Sequence, residues 1–209
     1  MAVERILAES LLDINAVLLR PDSPFTWASG WHSPIYCDNR RILSHPELRS
    51  RVACWLASRA LELYPEAEVV AGVATGAISH GVLAADRMGK PFVYVRPKPK
   101  DHGTGSQIEG ELPKGAKVVV IEDLVSTGMS SLGAVSALTK AGAHVLGMIA
   151  IFSYNFPQSR RSFENANIEL YTLSDYDTLI DVALETNYIN EKDIELLRTW
   201  RYSPETWGR

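Results

Sequence analysis

Two adjacent carboxylates, Glu122 and Asp123, close a run of four β-branched residues, Val118 to Ile121. Leu124 and Val125 follow, then Ser126, Thr127, Gly128, Met129, Ser130 and Ser131, and then a helix-forming stretch. A strand that passes through hydroxyl and glycine residues into a helix is a ready-made phosphate site, because hydroxyls and free backbone N–H groups both donate there. Gly128 lets the backbone come close to the anion. The carboxylates cannot be ligands of that phosphate. They suit hydroxyl groups such as those of a ribose, or a hydrated Mg²⁺. One site then reads a phosphate and a diol together, which means a sugar phosphate. Taken singly, Ser126 or Thr127 reads as an N-cap and the acids as partners of the helix dipole. The ordered set favours the functional reading. GMSSLGA lacks the Lys-Ser/Thr ending of a Walker A loop, and no GxGxxG opens a helix after a strand.

Two further stretches carry chemistry. In RPKPKDHGTGSQIEG, Arg96, Lys98 and Lys100 stand against Asp101, a local charge of 3 − 1 = +2 in a chain of net charge −4, with His102 titratable besides. Positive charge on a glycine-bearing loop attracts a pyrophosphate, and loops longer than ~12–15 residues are often functional lids. The bland alternative is a solvated basic loop. The second stretch, FTWASGWHSPIYCDNR, reads as an aromatic loop with a short hairpin. Its rings can stack on a planar ligand or pack the arm onto the body of the protein, and the residues alone leave both open.

Alternating strands and helices position these residues. A first helix is expected from the recurrence of Ile6, Leu7, Leu11, Leu12, Ile14 and Val17, and a second over HPELRSRVACWLASRALELY. Strand EVVAGVAT, helix AISHGVLAADRMG, strand PFVYVR, a long polar loop, strand KVVVIEDL, helix SSLGAVSALTKAGA, strands HVLGMIAIFSY and IELYTLSD, and two closing helices follow. This predicts an α/β fold with a mostly parallel twisted sheet flanked by helices. Ligands of such sheets sit at the carboxyl ends of strands, where Thr75, Arg96, Glu122, Asp123 and Tyr154 fall. His80 falls inside a helix and reads as packing, and His32 and His45 lack metal-ligand spacing.

The chain of 209 residues is long enough for a full core, with 46% hydrophobic and 22% charged residues. Its negative balance of 21 − 25 = −4 excludes general attraction to nucleic acid or to an anionic membrane. No apolar run reaches the ~18–20 residues of a transmembrane helix. Glu4, Glu9 and Asp13 interrupt any signal-peptide core. Two cysteines, Cys37 and Cys54, make no disulfide framework. A reduced, cytoplasmic protein of one compact unit is expected.

The stretch from Val118 to Ser131 resembles the phosphoribosyl-pyrophosphate (PRPP) motif of type I phosphoribosyltransferases. The Arg-x3-Lys-Asp-His-Gly spacing with its following Ile-Glu-Gly, and the Ser-Pro-Ile-Tyr arm, resemble the orotate phosphoribosyltransferase branch. Pro97 stands where many members carry a second lysine, and Ala28 where many carry a lysine before the Ser-Gly pair. The resemblance implies a type I phosphoribosyltransferase-like single domain over residues 1–209, with a small N-terminal hood formed in part by about residues 20–40. It implies a flexible catalytic loop at about 97–111. Glu122 and Asp123 would hold ribose hydroxyls, Ser126, Thr127, Gly128, Met129 and Ser130 would wrap the 5-phosphate, and Leu124 and Val125 would belong to the same PRPP-binding stretch. Arg96, Lys100 and His102 would bind the pyrophosphate, with Lys100 and His102 catalytic. Tyr36, Cys37 and Ser126 would border orotate. It further implies Mg²⁺ held mainly through PRPP and water rather than by direct protein ligands, and a homodimer whose loop completes the neighbour's site, with no nucleic-acid or membrane partner. A purine phosphoribosyltransferase of the same fold, or a non-catalytic PRPP-sensing regulator, are the alternatives.

Overall fold

The computed structural model describes residues 2–27, 29–99 and 106–207. Helix α1 (Val3–Asp13) buries Leu7, Ala8, Leu11 and Leu12 on one face. The apolar spacing predicted that this helix runs on through Val17. It stops sooner because Asn15 takes a φ of 54°, a left-handed turn that asparagine tolerates. Val17–Leu19 then forms β1.

The aromatic arm folds into two small antiparallel pairs. β2 (Phe25–Thr26) pairs with β3 (His32–Ser33), and β1 pairs with β4 (Ile35–Cys37). A 3-10 helix (Asn39–Ser44) follows, its start fixed by the Asp38 side chain, which accepts from the Arg40 N–H. Helix α2 (Pro46–Leu63) opens on a proline whose missing N–H costs nothing at that position.

The body alternates as its periodicity predicts. β5 (Val69–Val73), α3 (Ala77–Met88), β6 (Phe92–Val95), β7 (Ile108–Glu109), β8 (Lys117–Val125), α4 (Met129–Lys140) and β9 (His144–Ser153) come in turn. α5 (Pro157–Asn165), β10 (Leu170–Asp175), α6 (Tyr176–Glu185) and α7 (Glu191–Tyr202) complete the chain. One six-stranded sheet runs in the order β10-β9-β8-β5-β6-β7. Its neighbours are parallel except β6 and β7, which are antiparallel. The sheet is mostly parallel and flanked by helices, as expected.

In the body, two elements were not foreseen. Ile108 pairs with Val95 and Glu109 with Tyr94, so the predicted long loop of 97–111 contains a short strand. α5 was not assigned, because among its residues only Ser159 and Phe163 are buried, too few to make an apolar stripe.

The hood is tied to the body by aromatic rings. Trp200 of α7 is fully buried, with ring centroids 5.7 Å from Trp27, 5.8 Å from Tyr154 and 5.3 Å from Phe156. Its Nε1–H donates to the His32 carbonyl at 3.2 Å, and Trp27 Nε1–H donates to the Ile35 carbonyl at 3.1 Å. The arm's tryptophans therefore serve packing, one of the two readings the residues left open. Trp200→Ala should destabilise the protein by about 3–5 kcal/mol, the usual cost of emptying a large aromatic site. Urea unfolding measures this, and a loss below about 1 kcal/mol would show that α7 does not hold the hood.

Candidate functional site

The strand order reverses direction between β5 and β8. β5 leads outward to β6 on one side, and β8 leads to β9 and β10 on the other. Loops that leave two such strands diverge to opposite faces and open a crevice at the carboxyl edge. The turn after β5 (residues 74–76) and the turn after β8 (residues 126–128) therefore face one another across this switch point.

Asp123 and Gly76 show how close the two turns come. A Cβ built on Gly76 would stand 2.0 Å from Asp123 Oδ2, so a larger residue there would displace the Asp123 carboxylate. Asp123 is half-buried. Glu122 is almost fully buried and points into the protein. Its Oε1 accepts the Asp123 N–H at 3.0 Å, and its Oε2 accepts the Ser131 hydroxyl at 2.8 Å. Burial, and then the negative charge of Asp123, push the Glu122 carboxyl well above the usual carboxylate range, against the Ser131 hydrogen bond. Two acids predicted to act alike thus sit differently. Asp123 faces the crevice, and Glu122 ties the end of β8 to the first turn of α4.

The turn from Ser126 to Ser130 has the shape a phosphate needs. Gly128 has a φ of 83°, in the left-handed region that favours glycine. No side chain caps α4, so its first N–H groups remain open to an anion. Ser126 and Thr127 are half-buried, while Met129 and Ser130 are exposed. Leu124 is half-buried, and Val125 is fully buried with its carbonyl taking the Tyr154 N–H at 3.0 Å. Neither the side chain nor the carbonyl of Val125 faces the crevice.

Arg96 follows directly on β6. Its backbone N–H donates to the Gln107 carbonyl at 2.8 Å, and Gln107 Nε2 donates back to the Arg96 carbonyl at 2.8 Å. This pins the two stems of the basic loop together. A cavity of about 300 Å³ lies between them and α4, lined in part by Ala74, Arg96, Met129 and Ser130. Arg96 and the phosphate turn thus share one cavity wall. Lys100 and His102 lie outside the described residues. A larger cavity of about 660 Å³ lies along α5 and β10 and includes none of the predicted site residues.

On the hood, Tyr36 and Cys37 are neighbours on β4 and so point to opposite faces. Tyr36 is 42% exposed, its ring 5.7 Å from that of Phe25. Cys37 is half-buried and its Sγ–H donates to Asn39 Oδ1 at 3.4 Å. Burial, then Asp123 and Asp38, push the Cys37 thiol well above its ordinary value, so it stays a donor. Asn39 and Gly76 were missed by sequence reasoning. The only signal for Asn39 was its place one residue after the Tyr-Cys-Asp triplet of the hood motif. Among the described residues no three of His, Cys, Asp and Glu gather as a metal cage. The donor set is a single carboxylate facing the crevice, which fits a hydrated cation delivered by an anionic ligand.

Comparison with known proteins follows the same lines. Residues 38–171 match the family model described as "Phosphoribosyl transferase domain". The chain is 53% identical to the orotate phosphoribosyltransferase of Porphyromonas gingivalis, over 98% of this chain and 97% of that one. Among solved structures, orotate phosphoribosyltransferase from Aeropyrum pernix superposes with a TM-score of 0.76 at 29% identity, covering 88% of this chain and 99% of that one. UMP synthase from Leishmania donovani gives a TM-score of 0.79 at 26% identity, over 95% of this chain and 42% of that one.

Glu122 yields a pH-dependent expectation. Its raised folded pKa means that the folded protein binds more protons than the unfolded chain above the unfolded value of about 4.3. The contribution to stability is therefore full below that value and is lost as pH rises through the folded pKa. Glu122→Gln is neutral throughout and escapes the loss. Its unfolding midpoint should lie near that of the wild type at about pH 4 and exceed it increasingly as pH rises above that. Thermal melts across that range read the gap, and a gap independent of pH would contradict the raised pKa.

Proposed function

The chain belongs to the phosphoribosyltransferase domain family and, within it, to the orotate phosphoribosyltransferases, and on that premise we propose how its residues divide the work. It transfers the 5-phosphoribosyl group from PRPP to orotate, giving orotidine 5′-phosphate and pyrophosphate in pyrimidine nucleotide synthesis. The purine-transferring and regulatory alternatives give way to relatives that match over nearly the whole chain. The observation that carries the site assignment is the approach of Asp123 to Gly76 at the strand switch point, three residues ahead of the 126–130 turn and joined to the hood through Asn39.

The 5-phosphate sits in the 126–130 turn, on the first N–H groups of α4 and the hydroxyls of Ser126, Thr127 and Ser130. The ribose hydroxyls donate to Asp123. Glu122 braces the strand end and lends less to the diol than Asp123 does, because both its oxygens already have protein partners. Orotate lies against the hood on the face of β4 that Cys37 presents, with Ser126 on its other side, while Tyr36 stands on the opposite face. Its ring nitrogen is the nucleophile, already anionic, so no strong general base is needed. As the bond from ribose C1 to pyrophosphate breaks, positive charge grows on the sugar and negative charge on the leaving group. Arg96, Lys100 and His102 stabilise that leaving charge, and exclusion of water protects the sugar cation.

Mg²⁺ fits the same site, held through PRPP and water beside Asp123, and when bound it supplies Lewis-acid stabilisation of the pyrophosphate. A homodimer, in which the segment around Lys100 completes the neighbour's site, is part of the proposal and rests on the family resemblance. So does a cytoplasmic location. Among the described residues no helix is long and apolar enough to cross a membrane.

Turnover with PRPP and a panel of bases tests the assignment. Orotate should react, and adenine, guanine and hypoxanthine should not. Use of a purine without use of orotate would overturn it. Asp123→Asn should weaken PRPP binding about 10- to 150-fold, the worth of one charged hydrogen bond, as read by calorimetry. Unchanged affinity would remove Asp123 from the diol. Lys100→Ala should lower kcat strongly while PRPP still binds, since its contact matters most in the transition state. A kcat within a factor of about two of the wild type, less than ~0.4 kcal/mol of barrier, would show that the lysine is not catalytic.

A further inference from the structure

Asn39 is a buried polar side chain that the reaction as described does not use. It is 1% exposed and lies at the start of the 3-10 helix, between hood and sheet. Its Nδ2–H donates to the Asp123 carbonyl at 2.6 Å across 84 residues of sequence. Its Oδ1 accepts the Cys37 thiol proton. The two ends of the amide are thus told apart by their partners: a carbonyl needs the NH₂ end, and a protonated thiol needs the oxygen end. The backbone around Asn39 is held as well. The Asp38 N–H donates to the Ala16 carbonyl at 2.8 Å, and the Asp38 side chain caps the following turn.

Behind Asn39 stands His80 of α3, also 1% exposed. Its ring lies against the Asn39 backbone, and burial lowers its pKa, so it packs as a neutral group. Its Nε2 is buried without a hydrogen-bond partner among the described residues. The ring's polar interactions are with the Asn39 backbone and with the charge of Asp123, both acting against the burial. The ring fills the space that keeps Asn39 against β8.

We propose that Asn39, backed by His80, is a positioning residue that sets the direction of the Asp123 carboxylate toward the ribose diol. The inference rests on the reading of Asp123 as the acceptor for those hydroxyls. The Asp123 peptide is fixed at its N–H by Glu122 and at its carbonyl by Asn39. With both ends of the residue held, the side chain has little freedom except at its own rotamer, and its carboxylate lies against the bare backbone at Gly76. Removing the Asn39 donor frees the carbonyl end, and the carboxylate is then no longer preset for the hydroxyls. The phosphate turn, which begins three residues later, keeps its own contacts.

The test separates diol from phosphate with two small ligands, ribose 5-phosphate and 2-deoxyribose 5-phosphate, which differ by one hydroxyl. Dissociation constants of the full-length protein are measured by calorimetry for the wild type, Asp123→Asn, Asn39→Ala and Asn39→Leu. The last variant keeps the volume of the side chain and has no donor, and it gives the reading if the alanine variant does not fold. The wild type should prefer the ribose ligand, and Asp123→Asn should erase the preference. Asn39 variants should lose about fivefold or more of it, the worth of an ordinary hydrogen bond, with 2-deoxyribose 5-phosphate binding nearly unchanged. A merely structural role would weaken both ligands alike, and that result, or an intact preference, overturns the proposal while leaving the Asp123 reading in place. If the wild type shows no preference, or Asp123→Asn keeps it, the Asp123 reading fails and the proposal with it.

Discussion

The Asp123 carboxylate lies so close to the backbone at Gly76 that any side chain at position 76 would displace it, and the geometry of the crevice follows from that contact. The strand order sends the turns after β5 and β8 to opposite faces of the sheet, and a crevice of this kind has no fixed width of its own. Contact between a carboxylate on one turn and bare backbone on the other sets it. Asp123 stands three residues before the phosphate turn on the same strand end, so one sugar phosphate can meet an acid and an anion cradle at once. A side chain at residue 76 would push Asp123 away, and the diol and phosphate sites would no longer match one ligand.

The hood depends on this arrangement from the other side. It is too small to be stable alone, since its two strand pairs contain no more than three residues per strand. Its order comes from the rings of Trp27, Tyr154, Phe156 and Trp200, and from the Trp200 N–H on the His32 carbonyl. The last helix of the chain thus helps place a strand near the beginning. Tyr154 belongs to this cluster although it follows directly on β9, in line with the ligand crevice. Its burial shows that a position at the carboxyl edge of a strand is not enough to make a residue a ligand.

Much of this was legible in the residues, for definite reasons. The run Val118 to Ile121 is buried on both faces, so it reads as a strand without ambiguity, and the acids and small residues after it stand where the strand turns into a helix. The early error at Val17 came from periodicity, which cannot see that Asn15 turns left-handed. β7 was hidden because two residues gain strand form only by pairing with β6. The different environments of Glu122 and Asp123 were hidden as well, since strand alternation separates them only once α4 is packed over one face. Asn39 has no local pattern at all: its partner lies 84 residues away, and an asparagine after an aspartate ordinarily reads as a turn.

The electrostatics explain why two acids can stand in a site for a polyanion. Two full negative charges beside a triply phosphorylated ligand would oppose its entry. The Glu122 carboxyl is held toward its protonated form by burial and by its neighbour, so the pair behaves as if it carried less than its formal charge. Asp123 alone then presents acceptors to hydroxyls, which are the groups that benefit. On the opposite wall Arg96 faces the same cavity as Ser130, its guanidinium 3.8 Å from Glu109 and both partly exposed. An ion pair of that length and exposure is weak, so the arginine can exchange Glu109 for a phosphate at little cost. The site thus keeps its negative charge low where the sugar binds and its positive charge exchangeable where the pyrophosphate leaves.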